Sequence, residues 1–320
     1  MASSSQYPVY TWEQLIQYIS CIYRYTADQA AIKLGEIEQL IRQDPLSALT
    51  ELQRRHLATM CFSNVVLHYS QHHTISLDPD HLFHKMVERK FGGYCMENTG
   101  LLAIVLRSLG YHFFVSAAKV SNEIDGSEPA GGFTGMGHMV LIIRIGEKEY
   151  MVDAGFGPNG ATHPLLLEDG STAVAIAPAE MGFVKGGDPA TPWSRRPWVF
   201  RIRPNPESAW KSAYCFYDVE FLREDFEVLN FCTSQHPTSL FTKKFICTRF
   251  ILNETEDDIN GFISMTGAVV KRNLNGNVET LALLANEAER VAALEKMFDV
   301  HLQPLEARGI GGRATEIRTS

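Results

Sequence analysis

Residues 135–157 read GMGHMVLIIRIGEKEYMVDAGFG. His138 to Ile145 is one β-branched, apolar run, Lys148 to Asp153 is another, and Gly146-Glu147 between them signals a hairpin. A hairpin returns its second strand alongside its first. His138, which opens the ribbon, and Asp153, which closes it, are therefore expected side by side, although fifteen positions separate them. Upstream of Gly110 the chain has a different period. Thr11, with Gln14 in the capping-box position, starts a segment whose Leu15, Ile16, Ile19, Ile22 and Tyr23 recur at helical spacing. Asp78-Pro79 starts a second, with Leu82, Phe83, Met86 and Val87 on its apolar side, and a third runs from near Cys95 through Leu106 until Gly110 stops it. Strand patterns return at Tyr111 to Val120, Trp198 to Ile202, Ser212 to Val219, Phe245 to Leu252 and Phe262 to Val270. Asn275-Gly276 marks a tight turn, and Asn286 with Glu289 caps a final amphipathic helix. The Gly-, Ala- and Pro-rich stretch 168–196 reads as a loop excursion. Helices first and strands afterwards, with no internal repeat, predict an α+β fold, not a doubly wound sheet.

The whole chain sets bounds on function. With 320 residues and 45% hydrophobic composition it can bury a substantial core. No apolar run reaches the roughly 20 residues that cross a bilayer, and Met1 to Tyr10 lacks the sections of a signal peptide, so the expected location is the cytoplasm. A formal net charge of −8 without a Lys/Arg stripe argues against nucleic acid or a membrane surface as partner. The six cysteines form no CxxC pair, and a chain of this size needs no disulfide staples. His81 and His84 share a helix face but have no third ligand, so no metal site is expected. Monomer is the default oligomeric state.

Three segments hold residue types that make chemical sense together: Gly92-Gly93-Tyr94-Cys95, Gly135-Met136-Gly137-His138, and the run ending Asp153-Ala154-Gly155-Phe156-Gly157. A thiol acts as a nucleophile only as thiolate, so it needs a base and a field favouring negative charge. A helix starting at Cys95 supplies the field through its dipole. An imidazole can take the proton, and a carboxylate on the far ring nitrogen can fix the tautomer. Taken singly, each residue has an ordinary reading: a buried thiol, a strand-edge histidine, a turn-forming aspartate. The glycine-rich run 131–137 lacks a GK[ST] ending and precedes a strand, which argues against a phosphate-binding loop.

In these segments, and in Cys61-Phe62-Ser63-Asn64, Ile75-Ser76-Leu77-Asp78 and Asp225-Phe226-Glu227 through Asn230 to Phe241, the sequence resembles the arylamine N-acetyltransferase family over nearly its whole length. The resemblance implies a helical bundle over 1–110 carrying the catalytic Cys95. It also implies an antiparallel β-barrel over 111–205 carrying His138 and Asp153, and an α/β lid over 206–320, in a thiol-protease-like arrangement. It implies two-step transfer from an acyl-coenzyme A, acetyl most of all with malonyl or propionyl as other donors, to an arylamine, arylhydrazine or aminophenol. Thr134, Gly135 and Thr238 would line the coenzyme A site, and Phe156 and Val120 the acceptor pocket.

Departures stand beside these matches. Phe91 occupies the family's usual Arg before Gly-Gly, and Ser63 its usual Glu, so a supporting ion pair is missing at both ends; the two positions are expected to be neighbours. Pro158 stands where some relatives carry Arg. A papain-like or transglutaminase-like thiol enzyme acting on amides shares the Cys, His, Asp order and is the alternative reading. A non-catalytic protein retaining the fold would be expected to have lost one of the three residues.

Overall fold

The computed structural model describes residues 7–125, 132–186 and 196–318. Three helices lead: α1 (Trp12–Tyr23), α2 (Ala27–Gln43) and α3 (Pro45–Thr59). Each begins on a side-chain cap. Thr11 and Gln14 exchange bonds at α1, Thr26 and Gln29 do so at α2, and Asp44 accepts from Ser47 at α3 with Pro45 in the first turn. The chain then makes a short strand β1 (Phe62–Ser63), helices α4 (Val65–Tyr69) and α5 (Pro79–Phe83), a π-helical turn at His84–Glu88, and α6 (Cys95–Ser108). Leu15, Ile19, Leu34, Leu49, Leu101 and Val105 form the centre of this bundle. Each such side chain contributes about 1.5–3 kcal/mol by leaving water.

After Gly110 come β2 (Phe113–Ser121), a helical turn α7 (Asn122–Asp125), β3 (Phe133–Ile145), β4 (Lys148–Val152), β5 (Leu165–Leu166), β6 (Thr172–Val174), β7 (Glu180–Lys185), β8 (Trp198–Arg203) and β9 (Lys211–Phe216). They form one antiparallel sheet, in the order β5-β4-β3-β2-β9-β8-β7-β6, that curls into a nearly closed barrel. Its inward face packs Val140, Met151, Phe183, Phe200, Tyr214 and Phe216 together. Beyond it lie α8 (Arg223–Gln235), α9 (Leu240–Lys243), strands β10 (Ile246–Leu252), β11 (Ile259–Thr266), β12 (Val269–Leu274) and β13 (Asn277–Leu283), then α10 (Glu287–Phe298) and α11 (Pro304–Ala307). β1 joins β10–β13 as the outer strand of a second sheet, on which Phe245, Leu294 and Phe298 pack.

The β3–β4 hairpin forms in the expected register, with Ile145 opposite Lys148 and Leu141 opposite Val152. Four expectations need correction. β3 starts at Phe133, five residues before His138, because the glycine-rich run stays paired with β2 through two register shifts at Lys119. The 168–196 stretch contains two barrel strands, β6 and β7, whose short, small-residue sequences hide their period; its residues 187–195, like Gly131 of the glycine run, lie outside the described residues. Phe262 to Val270 is two strands reversing at Gly267, which takes φ +58°. The barrel also passes the proposed boundary at 205, since β9 lies between β2 and β8.

Candidate functional site

Cys95 is the first residue of α6 and is held there by the strand-like path before it. Gly93 donates its N–H to Cys61 O at 3.0 Å and accepts from Ser63 N at 2.8 Å, while Asn98 Nδ2 donates to both Gly93 O and Cys61 O. Gly92 turns the chain with φ +62°, and a Cβ there would fall 2.1 Å from Cys61 O. The start of α6 is thus tied to β1 and, through it, to the second sheet.

His138 and Asp153 occupy the open end of the β3–β4 ribbon. His138 Nε2 and Asp153 Oδ2 lie 2.9 Å apart, with the two residues and Cys95 all buried. The remaining ring nitrogen is left for the thiol, and the Cys95 side chain adds to the preference of His138 for its protonated form. The Cys95 sulfur also sits 3.4 Å from Gly137 O. Asp153 Oδ1 accepts the Gly155 N–H at 2.8 Å. Gly155 itself lies against the Cys95 backbone, where a Cβ would meet Cys95 Cα at 2.4 Å. Burial works against charge on His138, but the Asp153 carboxylate and the hydrogen bonds to Asp153 and Cys95 overcome it, and the ring is pushed up to about 10. An imidazole with that partner can hold a proton taken from the neighbouring sulfur.

Aromatic rings enclose the imidazole. Phe156 meets it edge-on at 4.9 Å and Tyr214 lies at 4.8 Å. Val120 is half-buried on β2, paired in register with Tyr214. Its N–H donates to Thr134 Oγ1 at 3.2 Å, and that hydroxyl donates in turn to Gly135 O at 3.0 Å. Thr134 is therefore already engaged within the protein, whereas Gly135 is exposed. Thr238 is exposed beyond α8, hydrogen-bonded to His236 Nδ1 at 2.8 Å. Ser63 and Phe91 are neighbours, Ser63 Oγ donating to Phe91 O at 2.7 Å.

Some supporting residues carried no motif. Gln53, fully buried on α3, donates from Nε2 to Asp153 O and Ala161 O, both at 3.1 Å, and so holds both ends of the loop after β4. Its sequence signal was a polar residue among the apolar Leu49, Leu52 and Leu57 of the buried face. The Tyr214 hydroxyl donates to Met151 Sδ at 3.5 Å, and burial, with the Asp153 carboxylate adding to it, pushes the phenol well up so that it stays neutral. Tyr94 hydroxyl donates to Asn230 on α8, and Asn230 Nδ2 donates to Ile75 O at 3.0 Å, joining the region after the barrel to the start of α6. Among the described residues no cluster of three or more His, Cys, Asp or Glu is placed to hold a metal, and no helix is long and apolar enough to cross a membrane. His84 pairs with Glu88 on the surface.

The N-acetyltransferase family model matches residues 45–307. The chain belongs to the arylamine N-acetyltransferase family. It is 32% identical to N-malonyltransferase FDB2 of Gibberella moniliformis over 282 residues, covering 84% of this chain and 82% of that protein. It is 28% identical to the chicken (Gallus gallus) pineal gland arylamine N-acetyltransferase isozyme NAT-10, covering 87% of this chain and 96% of the relative. Among solved structures, the arylamine N-acetyltransferase of Mycobacterium abscessus superposes with a TM-score of 0.75 at 19% identity, covering 98% and 100% of the two chains. That of Mycobacterium marinum in complex with CoA gives 0.71 at 25% identity, covering 94% and 96%. This arylamine N-acetyltransferase family member is accordingly an N-acyltransferase that depends on an acyl-coenzyme A. The family assignment favours acyl transfer over the amide-acting thiol enzyme that shares its residue order.

Proposed function

We propose that the protein moves an acyl group from coenzyme A to an arylamine, arylhydrazine or aminophenol in two half-reactions through a thioester on Cys95. The observation that carries this reading is the buried His138–Asp153 pair, 2.9 Å apart, with the Cys95 side chain, at the start of α6, among the groups that favour the protonated ring. Before the first half-reaction His138 already holds, as an imidazolium stabilised by Asp153, the proton that the thiol gives up, leaving Cys95 as thiolate. The thiolate adds to the acyl-coenzyme A carbonyl, the carbon–sulfur bond to coenzyme A breaks, and the leaving thiolate receives the proton from His138. In the second, the amine nitrogen adds to the Cys95 thioester, His138 takes the nitrogen's proton, and the amide leaves as Cys95 regains its sulfur's electron pair. An aromatic amine is largely unprotonated at neutral pH, so it meets this thioester as a ready nucleophile.

Gly135 and the exposed edge of the 133–137 segment are the parts we assign to coenzyme A, with Thr134 acting through its backbone because its hydroxyl is occupied. Thr238, exposed beyond α8, is assigned as a second contact. Phe156 and Val120 form apolar walls for the acceptor ring; the Phe156 ring against His138 supports this most directly. Malonyl-coenzyme A joins acetyl-coenzyme A as a proposed donor, on the likeness to the N-malonyltransferase. The reading is of a cytoplasmic monomer.

The test is labelling. Incubated without amine, radiolabelled acetyl- or malonyl-coenzyme A leaves label on the Cys95 peptide, and Cys95→Ala carries none. Label on another residue, or label persisting in that variant, overturns the mechanism. Turnover of acetyl-, propionyl- and malonyl-coenzyme A with one aminophenol then ranks the donors.

A further inference from the structure

The third residue of α6, Glu97, is a fully buried carboxylate two positions from Cys95. Negative charge in a first turn suits the helix dipole, yet close to a nucleophilic sulfur it opposes the thiolate. Lys85 answers it. Its Nζ donates to Glu97 Oε1 with both side chains out of water, and the other carboxylate oxygen accepts the Tyr94 backbone N–H at 3.1 Å. Gly93 makes the space for this, since a Cβ there would lie 2.5 Å from Glu97 Cβ and 2.9 Å from Oε2. Lys85 belongs to the π-helical turn His84–Glu88, an irregularity that re-aims side chains relative to an α-helix.

The charged and titratable groups facing the pair come from several elements. Burial, the largest influence, pushes the Glu97 carboxyl up, against Lys85, the Tyr94 N–H and, least, His81 on α5, which favour its ionised form. The Tyr94 phenol is turned to Asn230 on α8. Cys95 on the same helix faces His138 and, through it, Asp153. The two charged pairs, His138 with Asp153 and Lys85 with Glu97, come from different elements, one from the barrel hairpin and one joining the bundle to the first turn of α6.

We propose that Lys85 and Glu97 are positioning residues for Cys95: together they pin the first turn of α6 and leave it without net charge, so that the helix dipole and the His138 imidazolium stabilise the thiolate unopposed. This role rests on Cys95 being the nucleophile, as proposed above. Both side chains are buried and paired with each other.

The experiment measures iodoacetamide alkylation of Cys95 in the full chain, followed at the Cys95 peptide by mass spectrometry from about pH 5 to 9, alongside thermal melting. Lys85→Met is expected to move the alkylation inflection up by about one pH unit, roughly a tenfold slower reaction below it. Glu97→Gln moves it down, and the double variant returns near the parent value. Losing one member of a buried pair strands the other, so if Lys85→Met does not fold, Glu97→Gln and the double variant carry the test. Folded variants whose inflections coincide with the parent, or a double variant that keeps the Lys85→Met shift, overturn the proposal. Alkylation requires neither acyl-coenzyme A nor amine. A Cys95 whose inflection shifts as stated but which takes no acyl label defeats the transfer mechanism alone; a labelled Cys95 with unmoved inflections defeats the pair's role alone.

Discussion

Asp153→Asn in a Cys95→Ala background isolates the charge that keeps His138 protonated. Asparagine preserves the shape of the site: its carbonyl oxygen can accept the Gly155 N–H that Asp153 Oδ1 now accepts at 2.8 Å, and its amide can face His138 Nε2. Alanine at 95 removes the thiol, whose side chain also favours the protonated His138 ring. In the parent, burial opposes protonation of His138 while Asp153 outweighs it, moving the ring from 6.5 to about 10. A folded pKa above the unfolded one means that the protonated ring's contribution is complete below pH 6.5 and is lost as pH rises through about 10. Within that window the unfolded chain binds fewer protons, and stability falls by about 1.4 kcal/mol per pH unit. Over the whole interval the ceiling is roughly 4–5 kcal/mol, less the small part that Cys95 supplies. Once the carboxylate is replaced by an amide only burial remains, the ring stays neutral, and this slope disappears. Urea unfolding of the two variants at several values between pH 6 and 9 gives the difference directly, because every other titrating group contributes equally to both. Equal slopes, or a steeper fall in the amide variant, would refute the assignment of His138 as a buried imidazolium held by Asp153.

Three further substitutions test the surroundings. Ser63→Glu places a carboxyl at a site 2% exposed, where it must be protonated to replace the Ser63 bond to Phe91 O; that costs roughly 3–4 kcal/mol at pH 7. Adding Phe91→Arg is expected to recover much of it, and an unchanged melting temperature in the single variant would count against the reading. Gly155→Ala drives a methyl to within 2.4 Å of Cys95 Cα, and the shift it forces should lower acyl-transfer kcat about 100-fold, with circular dichroism confirming the fold. Gln53→Leu leaves the carbonyls of Asp153 and Ala161 without their donor, for an expected loss of about 2–3 kcal/mol in urea unfolding and a fall in kcat.

What was legible in the amino-acid sequence was whatever local chemistry encodes. The β3–β4 hairpin follows from alternation and a Gly-Glu turn, and the proximity of His138 and Asp153 follows from the hairpin. The caps at Thr11, Asp78 and Asn286 are bonds within four residues, and all three form. β6 and β7 escaped because Thr172–Val174 spans three residues and Glu180–Lys185 follows a Pro- and Ala-rich run; their pairing comes from β8 and the barrel, not from their own period. Gln53 escaped for a related reason. Its partners are backbone carbonyls 100 and 108 positions away, and a carbonyl leaves no side-chain signature. The Gly-Gly pair was visible as a turn, but its second glycine answers to the bulk of Glu97, a contact that exists only once α6 has formed.

A site sealed this tightly limits how its charges can be arranged. Cys95, His138, Asp153, Lys85 and Glu97 are all buried, and an isolated ion at any of these positions carries a heavy desolvation cost. Each charge therefore comes with its complement: the Asp153 carboxylate with the His138 ring, the Glu97 carboxylate with the Lys85 ammonium. Ser63 and Phe91 obey the same rule by omission. With neither an arginine nor a glutamate at those positions, no charge is stranded, and a neutral hydrogen bond from the serine to the Phe91 carbonyl closes the gap. The thiol's proton can then move to His138 without creating net charge in the site, which is the condition a buried sulfur needs to become a nucleophile.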